Sequence, residues 1–425
     1  GIGAYQTEVV QFRTEPLGLL GPPFLVVPES LYVHIPFCRK ACSYCNFHFS
    51  TSLQRRGELI RSILDELEYR MRASAHEELP LGQSIDTLTE RRGSPLQTLY
   101  YGGGTPSLLS MEELGSLTNG IRRWFDLEGV REFTLEVNPE DVTPAKVKGW
   151  RSMGVNRISL GIQSFDDRNL ARMNRAHNAA QGRAALHLLQ NEGFESISAD
   201  LIYGYPDRTL QDFEADLQEL LSWRLPHFSS YQLTVEPQTA LYHQVNQKKV
   251  CLAAEDLVLE QMMQLYQVSA VKGYRAYEIS NFALPGHEAV HNSRYWSGHA
   301  YWGLGPSAHS FDGHQKRSWN IANNNQYQKE IQSGKVPSSE ELLTDDQRFN
   351  EAVLIGLRLM DGLHWLALER AHGSQRVQRL RQQIAKMPEE WFEALNLEDS
   401  EAPLRLSLAG RALADFIAVE LFAEA

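Results

Sequence analysis

The sequence predicts an α/β protein, a partial (β/α)6 TIM-like barrel followed by a smaller, mainly helical, winged-helix-like C-terminal domain. Three observations carry this. Strand-like and helix-like segments alternate from residue 31 to about 236, the order expected of βα units around a parallel sheet. The candidate strands alternate apolar with more polar positions, so each offers one face to covering helices and one to a lumen. A polar stretch rich in Ser, Gly, Pro and Glu at 333–345 then separates this region from a helical C-terminal run.

Residues 1–30 carry Glu8, Glu15 and Glu29 against Arg13, with Pro and Gly gathered between Pro16 and Pro28. They read as a loosely ordered lead-in, unlike a secretory signal or an Arg-rich transit peptide. Strands are expected at 31–36, 97–101, 132–137, 157–163, 196–203 and 229–236, and helices at 54–74, 111–124, 144–152, 178–191 and 210–222. Parity then sorts side chains. Glu136 opposes Leu135 and Val137; Ser159, Gly161 and Gln163 oppose Ile158, Leu160 and Ile162; Asp200 and Ile202 oppose Ala199 and Leu201; Thr234 opposes Leu233 and Val235. A barrel interior is normally filled by branched apolar residues, so a polar lumen implies a ligand.

Between 237 and 345 the pattern turns irregular, with an amphipathic helix near 255–272, a strand at Tyr277 to Ile279 and the aromatic stretch HNSRYWSGHAYWGLGPSAHSF. Helices follow near 346–360, 363–371 and 374–386, then a short strand and a helix from Gly410 to Leu421. The domain reading is a lead-in at 1–30, the barrel at 31–236, an extension at 237–345 and a helical domain at 346–425.

The chain is 42% hydrophobic and 22% charged, ordinary for a globular protein. Its net charge of −12 argues against a nucleic-acid surface, which needs a basic stripe. No run of eighteen apolar residues offers a membrane span. Three of four cysteines are clustered, which does not make a disulfide framework; a reducing, cytoplasmic setting is expected. Cys251 stands apart and is read as a buried free thiol.

The clustered thiols are Cys38, Cys42 and Cys45, a C-x3-C-x2-C loop directly after the first strand, at the end of a βα barrel where chemistry is done. Closely spaced thiolates hold a soft metal centre. Zinc would recruit a fourth ligand such as His34 or His48, whereas three thiolates suit a four-iron cluster with one iron left open. The run Gly102, Gly103, Gly104, Thr105 and Pro106 follows the second strand, where glycines admit close backbone approach or simply a tight turn. It is neither a Walker loop nor a dinucleotide fingerprint. Glu136, in EVNP, is either a ligand contact or a rim salt bridge, since a lone buried carboxylate is costly. In H-N-x-x-Y-W, His291 and Trp296 lie among aromatics, followed by His299 and His309. Such histidines are hydrogen-bonded structural residues or, given that imidazole ligates haem iron and aromatic faces suit a porphyrin, ligands.

The cysteine loop, with Tyr44 before its last Cys, resembles the signature of the radical S-adenosylmethionine (SAM) superfamily, and HIPFC before it resembles the coproporphyrinogen oxidase-like branch. GGGTPS, EVNP, GIQSF and HNSRYW extend the likeness from Leu31 to the C-terminal helix. The resemblance implies a [4Fe–4S] cluster on Cys38, Cys42 and Cys45, and SAM contacts at Tyr32, Gly103, Gly104, Thr105, Glu136, Gln163, Arg175 and Asp200, with Ile202 and Thr234 flanking the adenine. It also implies haem at His291 and Trp296, a haem-acceptor protein and an electron donor as partners, and assigns no catalytic side chain. Within the branch, the oxygen-independent coproporphyrinogen III oxidases carry a further cysteine where this chain has Phe47, so the likeness favours the HemW-type haem chaperones, with the oxidase as the alternative.

Overall fold

A computed structural model describes residues 27–76 and 94–423. The lead-in expected at 1–30 therefore falls almost wholly outside the described residues. The chain divides into two compact units, one comprising residues up to 201 with 234–250 and 289–341, the other 202–233, 251–288 and 342 onward. Compactness thus interleaves stretches that the sequence presents as consecutive segments, because two excursions from each unit return to it.

The first unit is built on parallel strands β1 (Ser30–Ile35), β2 (Thr98–Gly103), β3 (Glu132–Val137), β4 (Arg157–Gln163) and β5 (Ser196–Tyr203), whose last two residues pass into the second unit. Each pairs with the next in parallel, Leu31 with Leu99, Leu99 with Phe133, Leu135 with Ile158 and Ile158 with Ile197. Helices α1 (Arg56–His76), α2 (Met111–Arg122), α3 (Pro144–Met153), α4 (Asp167–Arg172) and α5 (Ala179–Asn191) intervene.

Local chemistry sets these bounds. Ser110 and Glu113 form a reciprocal capping box on α2, and Asn178 and Gln181 another on α5. Helix α3 starts at Thr143-Pro144 and stops at Gly154, whose φ of 101° an L side chain would resist.

Three features depart from the expected pattern in this unit. A short strand, β6 (Trp302–Leu304), adds in parallel to the free side of β1, with Tyr32 opposite Gly303. It is held there by Glu66 of α1, fully buried, which accepts from Gly305 N at 2.9 Å, Arg70 Nη2 at 2.7 Å and Asn320 Nδ2 at 2.8 Å. Strand β4 carries a register shift between Leu160 and Gln163, and Gln163 has a φ of 65°. The polar stretch at 333–345 is not a bare linker, because Ser338–Leu342 forms a strand in a three-stranded sheet with β7 (His309–Phe311) and β8 (Lys316–Asn320).

In the second unit the expected sixth strand spans His227–Gln232 and ends four residues before 236. Thr234 therefore lies past the strand, exposed, and its parity assignment fails. The strand expected at Tyr277 to Ile279 is instead the turn between Arg275–Ala276 and Asn281–Ala283, two strands paired antiparallel. Glu278, buried in that turn, accepts from Ser280 N at 2.7 Å and Asn281 Nδ2 at 2.6 Å, which gives the turn its shape.

Cys251 is exposed rather than buried, since it sits in the loop ahead of the helix Glu255–Val271. The C-terminal helices, Asp345–Arg358, Trp365–His372, Ser374–Ile384, Leu408–Ala412 and Ala414–Glu420, enclose a core including Phe349, Val353, Leu357, Trp365, Leu380, Ile384 and Ile417. Among the described residues no helix is long and apolar enough to cross a membrane.

Candidate cluster and cofactor site

Strand β1 delivers the cysteine loop, and backbone bonds close it at the root. Ile35 O accepts from Phe37 N at 3.0 Å and from Gly104 N at 2.9 Å, while Cys38 N donates to Ser50 O at 3.0 Å and Ser50 N to Pro36 O at 2.8 Å. The tip is clasped by the segment after α4. Ser43 N donates to Met173 O at 3.1 Å and Asn174 Nδ2 to Ala41 O at 2.7 Å, with Asn174 in the left-handed region at φ 57°. On its other side Ser43 O accepts from Leu241 N at 2.7 Å.

Two side-chain donors face the sulfurs. Thr105 Oγ1 lies 3.6 Å from Cys38 Sγ and Arg175 Nη1 lies 3.4 Å from Cys42 Sγ. Burial pushes the Cys38 thiol up to about 11, opposed by the Thr105 contact, and the Cys45 thiol up to about 12, opposed by the Phe47 N–H. Thiols so placed become thiolates by binding a metal centre, whose positive charge replaces the proton. Among the described residues no three His, Cys, Asp or Glu side chains converge as a single metal ion requires; a cubane takes its thiolates at separate corners.

Polar side chains gather around Gly161. A Cβ there would stand 3.0 Å from Gln163 Nε2, 3.1 Å from Arg175 Nη2 and 3.2 Å from Asn138 Oδ1. The irregularity at the end of β4 is thus compatible with the lumenal place that parity assigned to Gln163. Arg175 Nη2 donates to Asn138 Oδ1 at 2.7 Å and to Gly161 O at 2.8 Å, and its Nε is buried without a partner. Burial lowers the Arg175 pKa, but Tyr44 and Cys42 beside it more than restore it, so the guanidinium stays charged. A buried, charged fork with one N–H unspent is a donor set suited to a carboxylate.

Glu136 sits in a second polar knot. Tyr100 OH donates to its Oε1 at 2.8 Å and Gly103 N to its Oε2 at 3.0 Å, so neutral donors take the place of the rim salt bridge considered above. Burial raises its carboxyl pKa, and Asp200 adds to the rise. Tyr32, buried, packs on Tyr100 with ring centroids 5.8 Å apart and its OH lies 3.2 Å from His34 Nδ1. The glycine run serves close approach of the chain to itself, since a Cβ on Gly103 would meet the His34 ring at 2.7 Å and one on Gly104 the Phe37 O at 2.7 Å. Asp200 and Ile202 are half-buried on β5, Ile202 within the second unit.

His291 opens the helix α6 (Val290–Trp296) and is buried. Its Nδ1 lies 2.7 Å from Thr98 Oγ1, its Nε2 2.8 Å from Tyr295 OH, and its ring stacks on Tyr100 at 5.0 Å. With both nitrogens engaged it is placed as a hydrogen-bonded interior histidine, and as an iron ligand it would have to give up one of those bonds. Trp296 is half-buried at the helix end, His299 is exposed, and half-buried His309 stacks on Trp319 at 6.0 Å. Sequence reasoning passed over Asn138 and Asp141; the Asn-Pro step in EVNPED, which turns the chain off β3, was the available signal.

Burial holds His291 down to about 3 and His34 down to about 4, both neutral at pH 7. The unfolded chain takes these protons near pH 6.5, so their contribution to stability is complete above that pH and declines as pH falls towards 4. Thermal melting from pH 7.5 to 4.5 should show Tm falling below pH 6.5, and less steeply in His291→Gln. An equal slope in that variant would remove His291 from the account.

The Radical SAM superfamily profile matches residues 32–220. The chain is 33% identical to the Heme chaperone HemW of Lactococcus lactis subsp. lactis over 79% of its own length and 83% of the relative's, and 33% identical to that of Bacillus subtilis over 79% and 84%. The Escherichia coli HemN structure, a coproporphyrinogen III oxidase described as a radical SAM enzyme, superposes with a TM-score of 0.76 over 100% of this chain and 94% of that one, at 20% identity, which shows the shared fold. The chain has the radical SAM α/β fold and belongs to the HemW family.

Proposed function

We propose that the protein is a radical SAM haem chaperone: it carries a [4Fe–4S] cluster and SAM, binds haem and passes it to an acceptor protein. The observation that carries this is its identity to relatives named Heme chaperone HemW across more than four fifths of their length. Phe47, where the oxidase pattern has a further cysteine, weighs on the same side.

When bound, the cluster supplies an electron to the sulfonium of SAM. The chain's own residues anchor and orient. Cys38, Cys42 and Cys45 would hold three irons, and the Thr105 O–H and Arg175 N–H aimed at two of the sulfurs would tune the cluster's potential. Arg175, with its spare Nε, and Gln163 would meet the methionine carboxylate, Gly103, Gly104 and Thr105 the amino end, and Tyr32, Glu136 and Asp200 the hydroxyls. Haem is assigned to the HNSRYW segment through Trp296, with His291 supporting it from the interior. An electron donor reduces the cluster, and the setting is the cytoplasm.

The test is parallel haem titration and coproporphyrinogen III turnover on the anaerobically reconstituted protein. We expect haem binding near one equivalent per chain, weakened in the Trp296→Ala variant with cluster iron retained, and no protoporphyrinogen. Sustained SAM-dependent release of carbon dioxide from coproporphyrinogen III would establish the oxidase instead.

A further inference from the structure

The cluster loop is tied to the rest of the barrel mouth by one carboxylate that no cofactor contact accounts for. Asp141, in the short turn after EVNP, has a fully buried side chain. Its Oδ1 accepts from Arg39 Nη2 at 2.6 Å and Nε at 3.2 Å, and its Oδ2 accepts from Ser107 Oγ at 2.9 Å. Lys146 Nζ stands 4.0 Å away and donates to Ser107 O at 2.5 Å. Arg39 is the residue directly after Cys38; Ser107 ends GGGTPS, and its Oγ also accepts from Asn138 N at 3.1 Å. From there Asn138 Nδ2 donates to Thr105 Oγ1 at 3.1 Å, and Thr105 reaches Cys38 Sγ. One buried carboxylate therefore joins CRKAC, GGGTPS and EVNP and closes a ring of bonds around Cys38.

We propose that Asp141 is a positioning residue for the cluster: acting through Arg39 and Ser107, it fixes the Cys38 half of the loop and neutralises the cation that the loop carries beside its first ligand. Arg39 sets two guanidinium N–H groups on one oxygen of a carboxylate excluded from water, a charge-assisted contact stronger than one between two exposed side chains. Arg39 itself is about half exposed, so the rigidity comes from the Asp141 end. Charge follows from the same geometry: without Asp141, Arg39 adds a net positive charge next to the cluster, which favours the reduced state, and without Arg39, Asp141 does the opposite.

This rests on the cluster reading above, so the experiment has one arm that needs no cluster. In apoprotein, hydrogen exchange at the amides of residues 38–46 should accelerate about tenfold or more in Asp141→Asn, the scale of a lost charge-assisted hydrogen bond, while the amides of β3 and α5 keep the parent rates. Arg39→Gln should act alike and Arg39→Lys partly restore protection. In reconstituted protein, the cluster midpoint potential should move positive in Asp141→Asn and negative in Arg39→Gln, and return towards the parent in the double variant. Parent-like loop exchange and potential in Asp141→Asn would overturn the proposal, as would exchange rising equally throughout the barrel. Should Asp141→Asn not fold, Arg39→Gln breaks the same pair from its solvent side and carries both arms. If loop exchange responds but no variant or parent holds iron, it is the cluster reading that fails and not the positioning role.

Discussion

Cys42→Ser is expected to abolish cluster retention while leaving the fold intact, the largest single effect in this molecule. Only three thiols are gathered in the loop, and Cys42 is the one that Arg175 Nη1 approaches at 3.4 Å. Losing it removes a third of the anchorage and the sulfur that stands against the buried guanidinium. The loop's own backbone bonds, from Cys38 N to Ser50 O and from Ser43 N to Met173 O, do not involve that thiol. Thermal stability of the apoprotein should therefore change by no more than about 0.5 kcal/mol, as for a substitution outside the packed core. Iron and sulfide analysis after anaerobic reconstitution, with the iron–sulfur absorption band, measures the outcome. Cys251→Ser, at an exposed site in the other unit, should retain iron at the parent level, and equal loss in both variants would refute the ligand assignment.

Arg175→Lys should weaken SAM binding about tenfold to a hundredfold, the equivalent of the ~1.5–3 kcal/mol of a hydrogen bond to a charged group. An ammonium cannot reproduce the planar fork that reaches Cys42, Asn138 and Gly161 together with a spare Nε. Calorimetry with SAM on the reconstituted variant reads the affinity, and a melting curve reads the separate cost of leaving Asn138 Oδ1 short of its donor. Unchanged SAM affinity beside a lowered Tm would make Arg175 a brace of the barrel mouth only.

Most element bounds were legible because their causes are local. The expected helix at 210–222 matches the observed one, and those at 144–152 and 178–191 end within a residue of it, since Thr143-Pro144, Asn178 and Thr209 cap their starts through their own side chains. The cysteine loop and its flanking motifs were legible for a different reason: their residue types are tied to a chemistry that few other folds use. Parity separated half-buried Glu136 from the fully buried Leu135 and Val137 of β3, because a regular strand alternates strictly. The same rule failed for Thr234, where the strand had already ended, and passed through an irregularity at Gln163 that it had no means to foresee.

By itself the sequence determined the βα order, the gathering of three thiols on the loop after β1 and the family, all of which follow from periodicity, caps and motif chemistry within a few residues of each other. The tertiary structure alone decided the rest. It placed Trp302–Leu304 against β1, far away in the chain, through the buried Glu66 knot. It buried His291 between Thr98 and Tyr295 and left Cys251 in solvent. It also brought Asp141 to Arg39 across 102 residues. A carboxylate's partner, a histidine's free nitrogen and a thiol's exposure depend on which distant surfaces close over them, and that is set by the packing of whole elements, which no local pattern encodes.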